Sequence, residues 1–377
     1  MSPLFTLIWG ETFAAAALAA RLGEADWLTL SHQAAQHRLR PLLHVRSAAG
    51  SWTVPPDLAR QWQASYRRAT LRALGQRAGL TRIGAALSAQ GVRTAILKGG
   101  AFVWAPGLDP ALRPMRDLDL LIAPEDSARV VEILNAAGFS GGSAELAESG
   151  KHLPAMTSDA ITVEPHLHLF DTYDDQAAER ERQFIARAWQ RAEPSVVPGV
   201  LALCPTDTLL HLILHAVLDH QFNNGPLLLG DLAALTGSGR IDWALFWVEA
   251  ERLEAVRACL LALGVGQELA GIEVDWGGHS PGDFGADQVE RVSRLMLVDM
   301  THRSAVSWPG QLLRLSPRRW PSQVLTMLRR RRQRDENGAV PAGGSGLRAA
   351  IGQALGAQGR ADIADAVELA RWLRRKN

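Results

Sequence analysis

Two aspartates at alternate positions, Asp117 and Asp119, stand in the run Arg116-Asp117-Leu118-Asp119-Leu120-Leu121-Ile122. On a β-strand, residues two apart project to one face, so both carboxylates can share hard cations such as Mg²⁺ or Mn²⁺ through oxygen ligands. That arrangement suits phosphoryl-type transfer. One metal lowers the pKa of an attacking hydroxyl while a second neutralises charge on a triphosphate. Upstream, Ile96-Leu97 runs into Lys98-Gly99-Gly100. Glycines preceding a helix let backbone N–H groups approach phosphate oxygens, aided by the helix dipole. Lys98, with Arg113 or Arg116, can add positive charge to the same phosphates.

Strands and turns must hold these residues. Residues 92–97 are a short β-rich run ending at glycines, and 118–122 form a second strand with acids at its start. Residues 127–137 read as a helix closed by Gly138. Residues 161–169 make a third strand, polar at 162, 164, 166 and 168, with one wet and one buried face. This alternation predicts a small α/β core over residues 91–175. Residues 1–90 and 176–310 read as helical, and 311–377 as a basic, partly flexible tail with a terminal helix. The fold class expected is therefore α+β: a small mixed-sheet core flanked by N- and C-terminal helical regions. In the first helical region, Leu71, Leu74 and Ala78 point away from Leu80, Ile83 and Leu87. The segment should therefore break near Gly79 or be buried on two faces.

A strand, a Gly-Gly turn, a helix and then a D-x-D strand resemble the signature of the polymerase-β-like nucleotidyltransferase superfamily. More narrowly, the run from Leu97 through Ile122 resembles an uncharacterised bacterial nucleotidyltransferase family carrying L-K-G, then R-P-x-x-D-x-D-L-L-V. The likeness extends over most of residues 25–310. It implies a third metal-site acid on a later strand. Val163-Glu164-Pro165-His166 resembles the family's D-x-H element, which places Glu164 as that acid and His166 as its histidine. Glu stands here for Asp, and Pro165 can sit in a strand only at an edge or a bulge. Sixteen residues separate Gly100 from Asp117, slightly more than is usual in the superfamily.

The resemblance implies transfer of a nucleoside monophosphate from an NTP to an acceptor, releasing pyrophosphate. Asp117, Asp119 and Glu164 would be the catalytic and metal-binding acids. Lys98, Gly99, Gly100, Arg113, Arg116 and His166 would bind the nucleotide. Mg²⁺ or Mn²⁺ is the implied cofactor, and the acceptor is open between a small molecule, a peptide or protein, and an RNA end. The alternative is a non-catalytic binding or regulatory protein that keeps the fold.

Bulk properties narrow the field. The chain has 377 residues, a net charge of +1 and 47% apolar residues, so no global field draws it to nucleic acid or membrane. Two cysteines, Cys204 and Cys259, exclude a disulfide framework and read as buried free thiols. The apolar stretch 13–20 lacks a basic leader and reads as an amphipathic or buried helix, so a cytoplasmic location is expected. His211, His215 and Asp219 lie four apart, but without an H-E-x-x-H pattern they read as core or cleft wall. The arginine run 329–332 beside the Gly/Pro/Ala-rich stretch 337–346 reads as solvated.

Overall fold

The computed structural model describes residues 2–50, 52–145, 150–159, 161–172, 174–280, 285–299 and 356–374. The arginine run 329–332 and the stretch 337–346 lie outside the described residues. The N-terminal region forms α1 (Pro3–Trp9), α2 (Thr12–Ala19), α3 (Glu24–Gln36), α4 (Arg40–Ala49) and the 34-residue α5 (Pro56–Ala89). Proline in the first turn of α5 costs no hydrogen bond, because that N–H has no partner inside the helix.

Helix α5 corrects one expectation. It neither breaks near Gly79 nor buries two faces. Leu80, Ile83 and Leu87 are fully buried, whereas Leu71 is 70% and Leu74 55% exposed. The reason is that Trp62, Ala69, Ala73 and Gln76 carry the buried stripe through the helix middle, which leaves the two leucines on the far side. Helix α2 is a second correction: it buries only Ala15 and Ala19, and Phe13 stands in solvent.

The core is one mixed six-stranded sheet in the order β3-β4-β2-β1-β6-β5. Its strands are β1 (Ala95–Ile96), β2 (Leu118–Leu121), β3 (Met156–Ser158), β4 (Ile161–His166), β5 (Glu193–Pro194) and β6 (Leu201–Ala202). β2 runs parallel to β4 and β1 parallel to β6, while β1–β2, β3–β4 and β5–β6 are antiparallel. β1 is shorter than the run 92–97 because Val92 still closes α5, donating its N–H to Leu87. Helix α6 (Ser127–Ala136) ends as expected at Gly138, which adopts φ +88°.

One face of the sheet is apolar. Leu118, Leu120 and Ile122 meet Val163 and the buried side chains Leu80, Ile83 and Leu87 of α5 and Val130 and Leu134 of α6. Each such burial contributes roughly 1.5–3 kcal/mol. Alternation then sends Asp119, Glu164 and His166 to the opposite face. Pro165 is tolerated by a bulge. β3 pairs regularly with β4 up to Met156↔Val163, and the next bridge is His152↔His166. Four steps on one side therefore oppose three on the other, and the irregular stretch contains the residue that cannot donate.

Two compact units are present, Met1–His215 with Leu227–Pro281, and Ala216–Pro226 with Gly282–Asn377. The first also holds α7 (Asp175–Arg191), α8 (Pro205–Leu214), α9 (Leu227–Thr236), α10 (Trp243–Arg252) and α11 (Val256–Ala270). In the second, α12 (Ala286–Met296) lies against α13 (Ala357–Arg374), and Arg291 and Arg294 of α12 both reach Asp365. No described helix is long and apolar enough to cross a membrane. Both cysteines are free; Cys259 is buried, but Cys204 is only half-buried, its thiol 3.3 Å from Asp207 Oδ2.

Candidate functional site

The parallel register sets Asp119 directly beside Glu164 on the central strands. His166, two residues on, faces the same way and places Nε2 2.8 Å from Asp119 Oδ1 and 3.8 Å from Glu164 Oε2. Ligand atoms of Asp119, Glu164 and His166 all lie within 4.8 Å of one another. This is the compact group among the described residues able to hold a metal ion. Asp117 stands outside that trio, at the bend entering β2. Its carboxyl is pushed up to about 6 by burial and by the neighbouring charges of Asp119 and Glu164.

Lys98 answers Asp119 from the other side. Its ammonium lies 2.7 Å from Asp119 Oδ1, and its backbone is left-handed, with φ +52°. Burial alone would raise the pKa of Asp119. The charge of Lys98 and the hydrogen bond and charge of His166 outweigh it and hold the carboxyl well below its ordinary value. For Glu164, burial is likewise outweighed by the nearby His166, and its pKa is lowered.

The donor set fits a divalent cation. Two carboxylates supply hard oxygens and one imidazole a borderline nitrogen, a combination that accommodates a divalent metal ion. The ring of His166 is oriented for ligation. Its Nδ1 faces the carbonyl of His168 at 3.3 Å, so Nδ1 can keep a proton there when Nε2, which contacts Asp119 at 2.8 Å, gives its own up to a metal. His152 lies beside it, the two rings tilted by 44° with centroids 5.1 Å apart.

The turn after β1 differs from the sequence expectation. Lys98–Ala101 is a single 3-10 turn, and no α-helix follows before β2. A long helix dipole therefore does not act at this turn. The room left by the glycines is also taken by protein atoms. A Cβ on Gly99 would lie 3.2 Å from the Arg113 guanidinium carbon, and one on Gly100 only 2.5 Å from Ile96 Cγ1.

The long spacing between Gly100 and Asp117 holds a second 3-10 turn, Pro110–Leu112, capped by Asp109. Asp109 in turn accepts from Tyr66 Oη at 2.7 Å. Gln76 donates to Met115 O and Arg38 to Pro114 O, so the segment reaching Asp117 is pinned from the N-terminal helices. Arg113 is half-buried and bonds both carboxylate oxygens of Asp231 on α9. Arg116 is exposed.

Three contributors escaped the sequence reading. Arg38, left-handed at φ +62°, comes from the N-terminal helical region, and its charge works against the upward shift of Asp117. Lys151 is buried, and its carbonyl accepts from Leu167 and His168 just past β4. Asp231 lies on α9, and its carboxylate is buried. No local spacing marks any of them. His211, His215 and Asp219 do not form a metal group among the described residues, and the helix changes to a π turn over His215–Asp219, which spoils the four-residue repeat.

A family model described as uncharacterised nucleotidyltransferase matches residues 23–271. No curated protein and no solved structure matches the chain.

Proposed function

Because the chain belongs to this family of uncharacterised nucleotidyltransferases, we propose that it moves a nucleoside monophosphate from an NTP to an acceptor hydroxyl and releases pyrophosphate. The observation that carries the reading is the register pairing of Asp119 with Glu164, with His166 closing the group from the same face. Asp119, Glu164 and His166 Nε2 would hold the divalent cation, Mg²⁺ or Mn²⁺, with Asp117 as a further acid. When bound, that cation would polarise the phosphate under attack and neutralise charge on the leaving pyrophosphate.

The protein's own groups do the rest. The acceptor oxygen forms a bond to the α-phosphorus as the bond to pyrophosphate breaks. Glu164, the more exposed of the two paired carboxylates at 25% against 6%, takes the acceptor's proton. Asp117 gains most from a nearby cation, because its ionisation is otherwise opposed by burial and by two like charges. Lys98 and the exposed Arg116 supply positive charge to the triphosphate, while Arg113 braces the turn through Asp231.

The test is calorimetric binding of each of the four NTPs with Mg²⁺ or Mn²⁺, comparing wild type with Asp117→Asn/Asp119→Asn. Binding in the micromolar range that the double variant loses supports the reading. If no NTP binds a folded wild type, the protein is a fold-only relative that acts through its surfaces.

A further inference from the structure

Asp119 Oδ1 is already shared. Lys98 Nζ lies 2.7 Å from it and His166 Nε2 2.8 Å. The same carboxylate belongs to the trio that would hold a cation. The Lys98 and Asp119 side chains are 18% and 6% exposed, so little water screens the pair. A divalent ion taking this oxygen would stand within a few ångströms of the ammonium. Two like charges so close in a half-dry site repel strongly. Lysine is suited to leaving, since its charge rides on a flexible four-carbon stem. Its residue also sits in the left-handed region at φ +52°, which a side chain with a Cβ enters at a cost and which gathers at functional sites.

We propose that Lys98 is a placeholder for the cation: it neutralises Asp119 while the site is empty of metal, and it swings to the triphosphate when metal and nucleotide arrive together. The swing to phosphate rests on the transferase reading; the neutralisation of Asp119 does not. Metal alone then binds weakly, because it must displace an ion pair with no reward. Metal carried by an NTP binds well, because the displaced ammonium finds phosphate oxygens.

The experiment is titration of Mn²⁺ alone, then of Mn²⁺ with ATP, into wild type, Lys98→Met and Lys98→Gln. Met keeps the unbranched stem without charge, and Gln keeps a donor. Without nucleotide, both neutral variants should bind Mn²⁺ at least about tenfold more tightly than wild type. In thermal unfolding they should be less stable than wild type in chelator, and Mn²⁺ should raise their midpoints more. With ATP present the sign should reverse, the variants binding the metal–nucleotide complex at least about tenfold more weakly. Mn²⁺ affinity that is unchanged or weaker in both folded variants overturns the placeholder. A wild type that binds Mn²⁺ but no NTP overturns the transferase reading, while the comparison in Mn²⁺ alone still decides the ion-pair half.

Discussion

The guanidinium of Arg113 grips Asp231 through two hydrogen bonds of 2.5 and 2.8 Å, joining the segment before Asp117 to α9 across 118 positions of sequence. Both oxygens of a buried carboxylate are thereby satisfied. Removing one partner leaves the other as an uncompensated buried charge. Arg113→Ala or Asp231→Ala should therefore cost about 3–5 kcal/mol, whereas the apolar pair Arg113→Met/Asp231→Leu should recover most of the loss. Urea unfolding of the three variants checks this. A near-neutral Asp231→Ala would mean that the pair is not what holds the segment.

Gly100 is constrained by space. A methyl group there would meet Ile96 Cγ1 at 2.5 Å, against a strand that is itself fully buried. Gly100→Ala should lower stability by about 1–3 kcal/mol through overpacking. Trimming the neighbour should restore much of it, so Ile96→Ala/Gly100→Ala is expected to be more stable than the sum of the single changes. Thermal unfolding of the double-mutant cycle is the measurement.

Local and non-local features divided cleanly in what the sequence disclosed. The alternation Leu118-Asp119-Leu120 and the polar positions of residues 161–169 are period-two patterns, so the sheet face of Asp119, Glu164 and His166 was readable. The helices after residue 176 were also readable from their apolar spacing. β3, β5 and β6 were not, since each has only two or three residues and exists through its partners. Arg38 and Asp231 reach the site through contacts that no window of neighbouring residues contains. The direction of α5's leucines likewise depended on what packs against its alanines, which residue types alone do not encode.

Glu249 makes stability depend on acid. Fully buried on α10, it accepts from Arg187 at 2.6 and 2.9 Å, from Arg252 at 3.1 Å and from Arg191 at 3.3 Å; Arg191 also holds Asp207 of α8. Burial opposes its charge, but the hydrogen bonds and charge of Arg187, with Arg191 and Arg252, prevail and lower its pKa below 4.5. A carboxyl depressed in the folded state stabilises above its unfolded value, and that contribution is lost as pH falls through the lower, folded value. Glu249→Gln should cost about 3 kcal/mol at neutral pH. Its deficit should shrink toward zero as the pH drops below about 4.5. Urea titrations of both proteins from neutral to acid pH measure it, and a deficit constant across that range would refute the assignment.

His211 predicts the opposite kind of anomaly. It is fully buried on α8, its ring T-shaped against Phe170 with centroids 5.7 Å apart, and neither ring nitrogen has a hydrogen-bond partner among the described residues. Burial first, then the charges of Lys98 and its neighbours, push its pKa down to about 3, so the ring is neutral at ordinary pH. An apolar replacement removes an unsatisfied polar group, and His211→Leu should stabilise the protein by about 1 kcal/mol at neutral pH. The unfolded histidine binds a proton below 6.5 while the folded one does not, so stability is lost as pH falls from 6.5 toward 3. This single group adds up to about 1.4 kcal/mol per pH unit to the slope. His211→Leu should flatten that slope, above the range where Glu249 titrates. A variant that is both less stable and equally acid-sensitive would show that the ring has partners of its own.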